Sequence, residues 1–176
     1  EIADRDWSSD VCSSDLMLAG EQHTDHPQCV DPVIAAYCRI WQDKLTDAQR
    51  DALAKPLLSV VIETRSTADV KDRRAVMVGD WCWRVVLPMW LDLVPALRDY
   101  ASQLRSQPEA TTANDLERLS LFGAAARDAA WAAAGAAARA AAGDAARAAA
   151  RAALTPTVTA IHEATPDLIR RLCAVQ

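Results

Sequence analysis

No apolar run in the 176 residues reaches the roughly 18 that a membrane-crossing helix needs, which argues against a membrane partner. Glycine is scarce, at five residues, and none of it builds a phosphate-cradling loop or a G-x-S-x-G turn around a nucleophilic serine. The usual signatures of nucleotide hydrolysis and serine hydrolysis are therefore missing. Cysteine numbers five, too sparse for a disulfide framework. That sparseness implies a reducing, cytoplasmic setting. No residue pattern implies a cofactor.

What is present begins with an oddity. Residues 1–16 read EIADRDWSSDVCSSDL. Codon by codon, the run DWSSDVCSSDL resembles one frame of a sequencing-library adapter, and Glu1 to Arg5 fit the bases that precede it. The segment is expected to be an assembly artefact without order, and its serines carry no functional meaning. The native start is then open, with Met17 at the junction, and no signal peptide is expected. The segment also carries most of the apparent charge. The chain has 24 acids and 19 bases. Setting aside Glu1, Asp4, Asp6, Asp10 and Asp15 against Arg5 leaves 19 acids and 18 bases. A near-neutral body gives no electrostatic case for nucleic acid or an anionic surface.

Residues 17–30 are polar and aperiodic and form a loose lead-in. Residues 31–176 suit a single helical domain. Asp31-Pro32 is a helix start, with Asp as cap and Pro where a missing N–H costs nothing. Val33, Ile34, Tyr37, Cys38, Trp41 and Leu45 follow at helical spacing. Thr46-Asp47-Ala48-Gln49 has the form of a capping box and opens a second helix. Pro56 is expected to kink that helix or end it near Ala54. Leu57 to Ile62 is β-branched but has no partner strand, so it reads as buried helix. After a turn at Thr64 to Thr67, a third helix is predicted from about Ala68 to Leu87. Asp69/Arg73 and Asp80/Arg84 lie along it as acid-to-base pairs at i,i+4. From Ala75 to Leu91 it is apolar nearly all round, the mark of a buried element, and Cys82 reads as a small buried hydrophobe. Pro88 is expected to kink or break it. Leu91, Val94, Leu97, Tyr100, Ala101 and Leu104 continue an amphipathic pattern, and residues 106–112 form a linker.

From Ala124 to Ala153, 21 of 30 residues are alanine. Arg127, Trp131, Gly135, Arg139, Gly143, Arg147 and Arg151 fall on a four-residue beat. Alanine is the best helix former. One long helix is predicted from about Ala113 to Leu154, ended by Pro156, with a short last helix capped at Thr165-Pro166. A four-residue beat drifts around a 3.6-residue helix, so the arginines wind about it and mark no single face.

Four constellations carry conceivable chemistry. His23, His26 and Cys29, with Cys38 beyond, are metal-ligand types at short spacing, but only three are close and they span a proline. A solvated tail explains them better, and no metal site is assigned. Asp80 and Arg84 stand in an apolar helix with Trp83 and Trp90 on one face. They are the candidate ligand- or partner-binding residues, to be weighed against an ion pair at the rim of a core. Arg127, Arg139, Arg147 and Arg151 suggest phosphate contacts, yet lysines and net positive charge are lacking. His162-Glu163 is an acid–base pair with no nearby nucleophile. No catalytic residue is assigned.

The stretch Asp80-Trp81-Cys82-Trp83-Arg84-Val85-Val86-Leu87-Pro88-Met89-Trp90-Leu91, with the alanine-rich tract after it, resembles alanine-rich helical proteins of high-GC actinobacteria. It is similar more loosely to helical immunity proteins, in which a Trp-rich helix precedes an alanine-rich one. The resemblance covers about residues 72–154 and implies no site residue. The immunity likeness implies binding and blocking a toxin-like protein without catalysis. The expected fold is all-α, an irregular bundle of about six helices. The expected function is protein interaction. Two alternatives stand beside it. One is a small ligand-binding protein or enzyme with a pocket at Asp80, Trp83 and Arg84. The other is nucleic-acid binding along the arginine stripe.

Overall fold

A computed structural model describes residues 28–124, 128 and 144–176; the adapter-like segment, His23, His26 and most of the alanine tract lie outside them. The described residues form six helices and no strand, so the fold is all-α as the sequence predicts. Helix α1 is Pro32–Gln42. Helix α2 runs from Asp47–Gln49 through Arg50–Ala54 and Lys55–Leu57 to Leu58–Val61. Helix α3 is Ala68–Trp81 continued by Cys82–Val86 and Leu87–Leu91. A tight turn at Pro95–Leu97 leads into α4, Arg98–Arg105. Helix α5 covers residues 113–124, and α6 is Asp144–Ala174.

The helix starts follow from capping. Asp31 accepts hydrogen bonds from the Val33 and Ile34 amides, with Pro32 at the first position. The Thr46 hydroxyl accepts from the Gln49 amide while the Gln49 side chain accepts from the Thr46 amide, so the predicted capping box is formed. Helix α5 uses the same device with an acid. The Asp115 amide donates to the Thr112 hydroxyl, and its carboxylate accepts from the amides of Thr111 and Thr112. The Thr112 hydroxyl also donates to that carboxylate at 2.8 Å, and this bond first, then those of the amides, lowers the Asp115 proton affinity.

Helices continue past four prolines, where the sequence allows Pro56 and Pro88 to kink or end theirs and sets Pro156 and Pro166 between two helices. Pro56 does not end α2, and Pro88 does not end α3. Both follow a five-residue wide turn, Arg50–Ala54 and Cys82–Val86. There the amide of Lys55 reaches back to the Arg50 carbonyl, and that of Leu87 to the Cys82 carbonyl, five residues rather than four. Shifting the ladder by one residue just ahead of a proline accommodates its missing N–H and its ring. Pro156 and Pro166 likewise lie inside α6, which was expected to be two helices. The final turns bury Thr165, Leu168, Ile169 and Leu172 to 1 % exposure or less. Each apolar burial is worth roughly 1.5–3 kcal/mol, enough to offset a cost of about 3 kcal/mol per internal proline.

The residues group into two compact units. In the first, residues 28–75 and 162–176, Ile34, Trp41, Leu57, Val61, Ile169 and Leu172 are among the buried side chains. Leu58–Val61 is helical, as expected, with Leu57 and Val61 inward and Val60 exposed. The chain leaves α2 through Glu63 at φ 61, a left-handed conformation unusual for a residue with a side chain.

In the second unit, residues 76–161, Leu91, Leu97, Ala101 and Leu104 form one cluster, joined by Leu87, Val94, Tyr100 and Phe122. Val76, Ala110 and Leu119 form another, joined by Trp83 and Leu116. The amphipathic stripe from Leu91 to Leu104 is thus correctly read. The all-round burial of Ala75 to Leu91 is not: Ala75 and Cys82 are exposed. Successive helical residues point about 100° apart, so Cys82 faces away from the side that carries Val76 and Trp83 inward.

Candidate functional site

Asp80 and Arg84 meet as their spacing predicts. Arg84 Nε donates to Asp80 Oδ1 at 2.6 Å and Arg84 Nη2 to Asp80 Oδ2 at 2.5 Å, a two-pronged pair within one helical turn. A third donor was not visible in the sequence. The Ala110 amide, in the stretch between α4 and α5, donates to Asp80 Oδ1 at 2.8 Å. Asp80 is 4 % exposed, and its carboxylate fastens that stretch to α3. The Asp80 hydrogen bond raises the proton affinity of Arg84 further, against the opposing effect of its partial burial.

Trp83 serves packing. A methyl group at Gly123 would lie 2.1 Å from the Trp83 ring, so its indole sits directly on the α5 backbone where only glycine fits. Leu116 occupies the equivalent space over Gly79, at 2.8 Å. Trp83 and Trp90 are both half-buried. Asp80, Arg84 and Trp83 therefore lie on one stretch of α3, with Arg84 bound to Asp80 and Trp83 packed on α5.

Of the remaining candidates, Cys29 and Cys38 are half-buried and form no disulfide. Among the described residues no group of three His, Cys, Asp or Glu is placed to hold a metal ion. Arg127 and Arg139 lie outside the described residues, as does the Arg147 side chain, and Arg151 is exposed. Arg73 donates to the Gln176 carbonyl at 3.3 Å.

Two polar clusters of the first unit were missed from sequence because their members are far apart along the chain. In one, Arg74, 2 % exposed, donates through Nη1 to the Thr64 carbonyl at 2.6 Å. It also donates through Nε to Leu172 at 3.0 Å and through Nη2 to Val175 at 2.9 Å. Its Nη1 also lies 2.9 Å from Asp31 Oδ2. That oxygen has no aligned hydrogen bond, so its tie to Arg74 is the attraction of charges rather than a directed bond. Thr64 completes the cluster, accepting from the Asp31 amide at 3.1 Å and donating to the Val61 carbonyl at 2.7 Å. Cys173 is pushed up chiefly by burial, opposed by Arg74 and aided by Asp31.

In the other cluster, Trp41 Nε1 donates to His162 Nδ1 at 3.2 Å, both residues being buried. Burial lowers the proton affinity of His162. One turn back on α1, the Tyr37 hydroxyl lies 3.5 Å from Thr165 Oγ1. Trp41 also walls a small apolar groove, lined by Cys38, Gln42, Ala54, Leu57, Leu58 and Val61.

No helix of the described residues is long and apolar enough to cross a membrane. Compared with known proteins, the chain matches no family model, no curated protein and no solved structure.

Proposed function

We propose that the chain is a non-catalytic helical interaction protein of the cytoplasm. It is immunity-like in that it acts by binding and blocking a toxin-like protein. The observation that supports this most is how Asp80 is used. A general base needs a lone pair within reach of the substrate proton. The Asp80 carboxylate is buried and takes three hydrogen bonds from Arg84 and Ala110. Two other buried polar groups are spent in the same way. Arg74 holds three carbonyls, and His162 Nδ1 holds the Trp41 indole. Side chains committed to the fold leave recognition to the surface.

The test is co-expression of the full chain with the product of any toxin-like reading frame beside its gene. Growth is expected to be rescued by the wild type and, to the extent that it stays folded, by Asp80→Asn. Turnover of a substrate by the purified chain, abolished by Asp80→Asn in a folded protein, would overturn the reading.

A further inference from the structure

The Trp41–His162 contact places a donor-only group against a titratable acceptor. An indole N–H has no lone pair to offer, so His162 Nδ1 must be unprotonated to accept from it at 3.2 Å. The neutral ring then carries its proton on Nε2. An imidazolium has N–H on both nitrogens and would set a donor against a donor inside a buried site. The bond therefore exists in one charge state of His162 only. Its donor, Trp41, is also a wall of the groove that includes Cys38, Leu57 and Val61.

We propose that the Trp41–His162 hydrogen bond is a pH-sensitive latch: proton uptake by His162 breaks it and releases the Trp41 wall of the apolar groove.

The charged surroundings do not pin His162 in either state. On its own helix, Glu163 and Asp167 are exposed. Helix α1 brings Tyr37, set against Thr165, the Cys38 thiol and Arg39, and is followed by the exposed Asp43 and Lys44. Helix α2 brings Asp47, Arg50, Asp51 and Lys55, joined in pairs as Arg50 with Asp47 at 2.7 Å and Lys55 with Asp51 at 2.5 Å. Burial is what disfavours the imidazolium. Mild acid is thus met by one buried ring with one bond to lose, the pattern of a histidine switch.

The experiment is a pH titration of the full 176-residue chain from 8 to 5, following the Trp41 indole N–H and the His162 ring protons by NMR. The Trp41 resonance is expected to shift with the same midpoint as His162, and not to shift in His162→Asn, which keeps an acceptor oxygen but cannot titrate. In parallel, alkylation of Cys38, read by peptide mass, compares wild type with His162→Asn at each pH, so the thiolate fraction cancels. The wild-type rate should exceed the variant's by about fivefold at pH 5.5, the population change that follows loss of one neutral hydrogen bond. Should His162→Asn not fold, the wild-type midpoints alone decide. A Trp41 signal indifferent to His162 titration, or a His162 that does not titrate before the chain unfolds, would overturn the proposal, as would a rate ratio near one.

Discussion

Replacing Arg74 with methionine removes the charge from the most heavily used buried side chain of the first unit. Methionine fills much of the same volume, so the loss is electrostatic rather than a cavity. Three carbonyls, of Thr64, Leu172 and Val175, lose their donor, and Asp31 loses the guanidinium 2.9 Å from Oδ2. Asp31 is 1 % exposed, so the stranded carboxylate has no water to turn to. Breaking one side of a buried pair costs about 3–5 kcal/mol. The carbonyl losses overlap with that figure, since one side chain makes all the contacts. The expected loss is about 4 kcal/mol, a large part of the 5–15 kcal/mol typical of a folded chain. With a urea slope of about 2 kcal/mol/M, the midpoint should fall by about 2 M. Amide exchange in α1 and the last turns of α6 should collapse first, while amides of the Leu91–Leu104 cluster keep more protection. Asp31→Asn keeps a capping oxygen and should cost less. In the double variant Arg74→Met/Asp31→Asn the costs should fall short of additive by at least about 1 kcal/mol. A loss under 1 kcal/mol for Arg74→Met, or strict additivity, would refute the assignment of Arg74 as the clamp on the end of α6.

Further outcomes follow from the same reasoning. Gly123→Ala should destabilise by about 2–3 kcal/mol in thermal melts, because its new methyl meets the Trp83 ring at 2.1 Å, and Trp83→Leu should recover part of the loss. Gly79→Ala meets only the mobile end of Leu116 and should cost well under 1 kcal/mol, or add to helix stability. Glu63→Gly should stabilise by up to about 1 kcal/mol in urea unfolding, since φ 61 is strained for glutamate and free for glycine. The folded state lowers the proton affinity of His162 below its ordinary value of 6.5, so the unfolded chain takes up that proton first. Stability from this residue should be complete above pH 6.5 and decline as pH falls below it; a urea midpoint in His162→Asn with the same pH dependence as wild type over that range would refute this.

What the sequence made legible was local. Asp31-Pro32 and Thr46 to Gln49 announce helix starts because capping is settled within four residues. The stripe from Leu91 to Leu104 shows its buried side because period decides it. The Asp80–Arg84 pair was legible for the same reason, one turn apart on one helix. That the helices run on past their prolines was not legible, because the compensating feature is not in the dipeptide. A wide turn ahead of Pro56 and Pro88, and distant packing along α6, decide what happens there. The third bond of Asp80 comes from a backbone amide 30 residues away, and the Trp41–His162 bond joins residues 121 apart. No spacing rule spans such distances. Cys82 shows the limit of composition: a greasy stretch says that a helix is covered, not which residue escapes.

The most direct test of the account is whether Asp80 is a fastener or a reagent. The measurement is a calorimetric titration of the product of any toxin-like reading frame beside the gene into the full chain and into Asp80→Asn, with activity of that product followed in the same samples. Saturable one-to-one binding that silences the partner, with an affinity in Asp80→Asn lowered only as far as its stability is lowered, is the result the account expects. Absence of binding together with a turnover that vanishes in folded Asp80→Asn would contradict it.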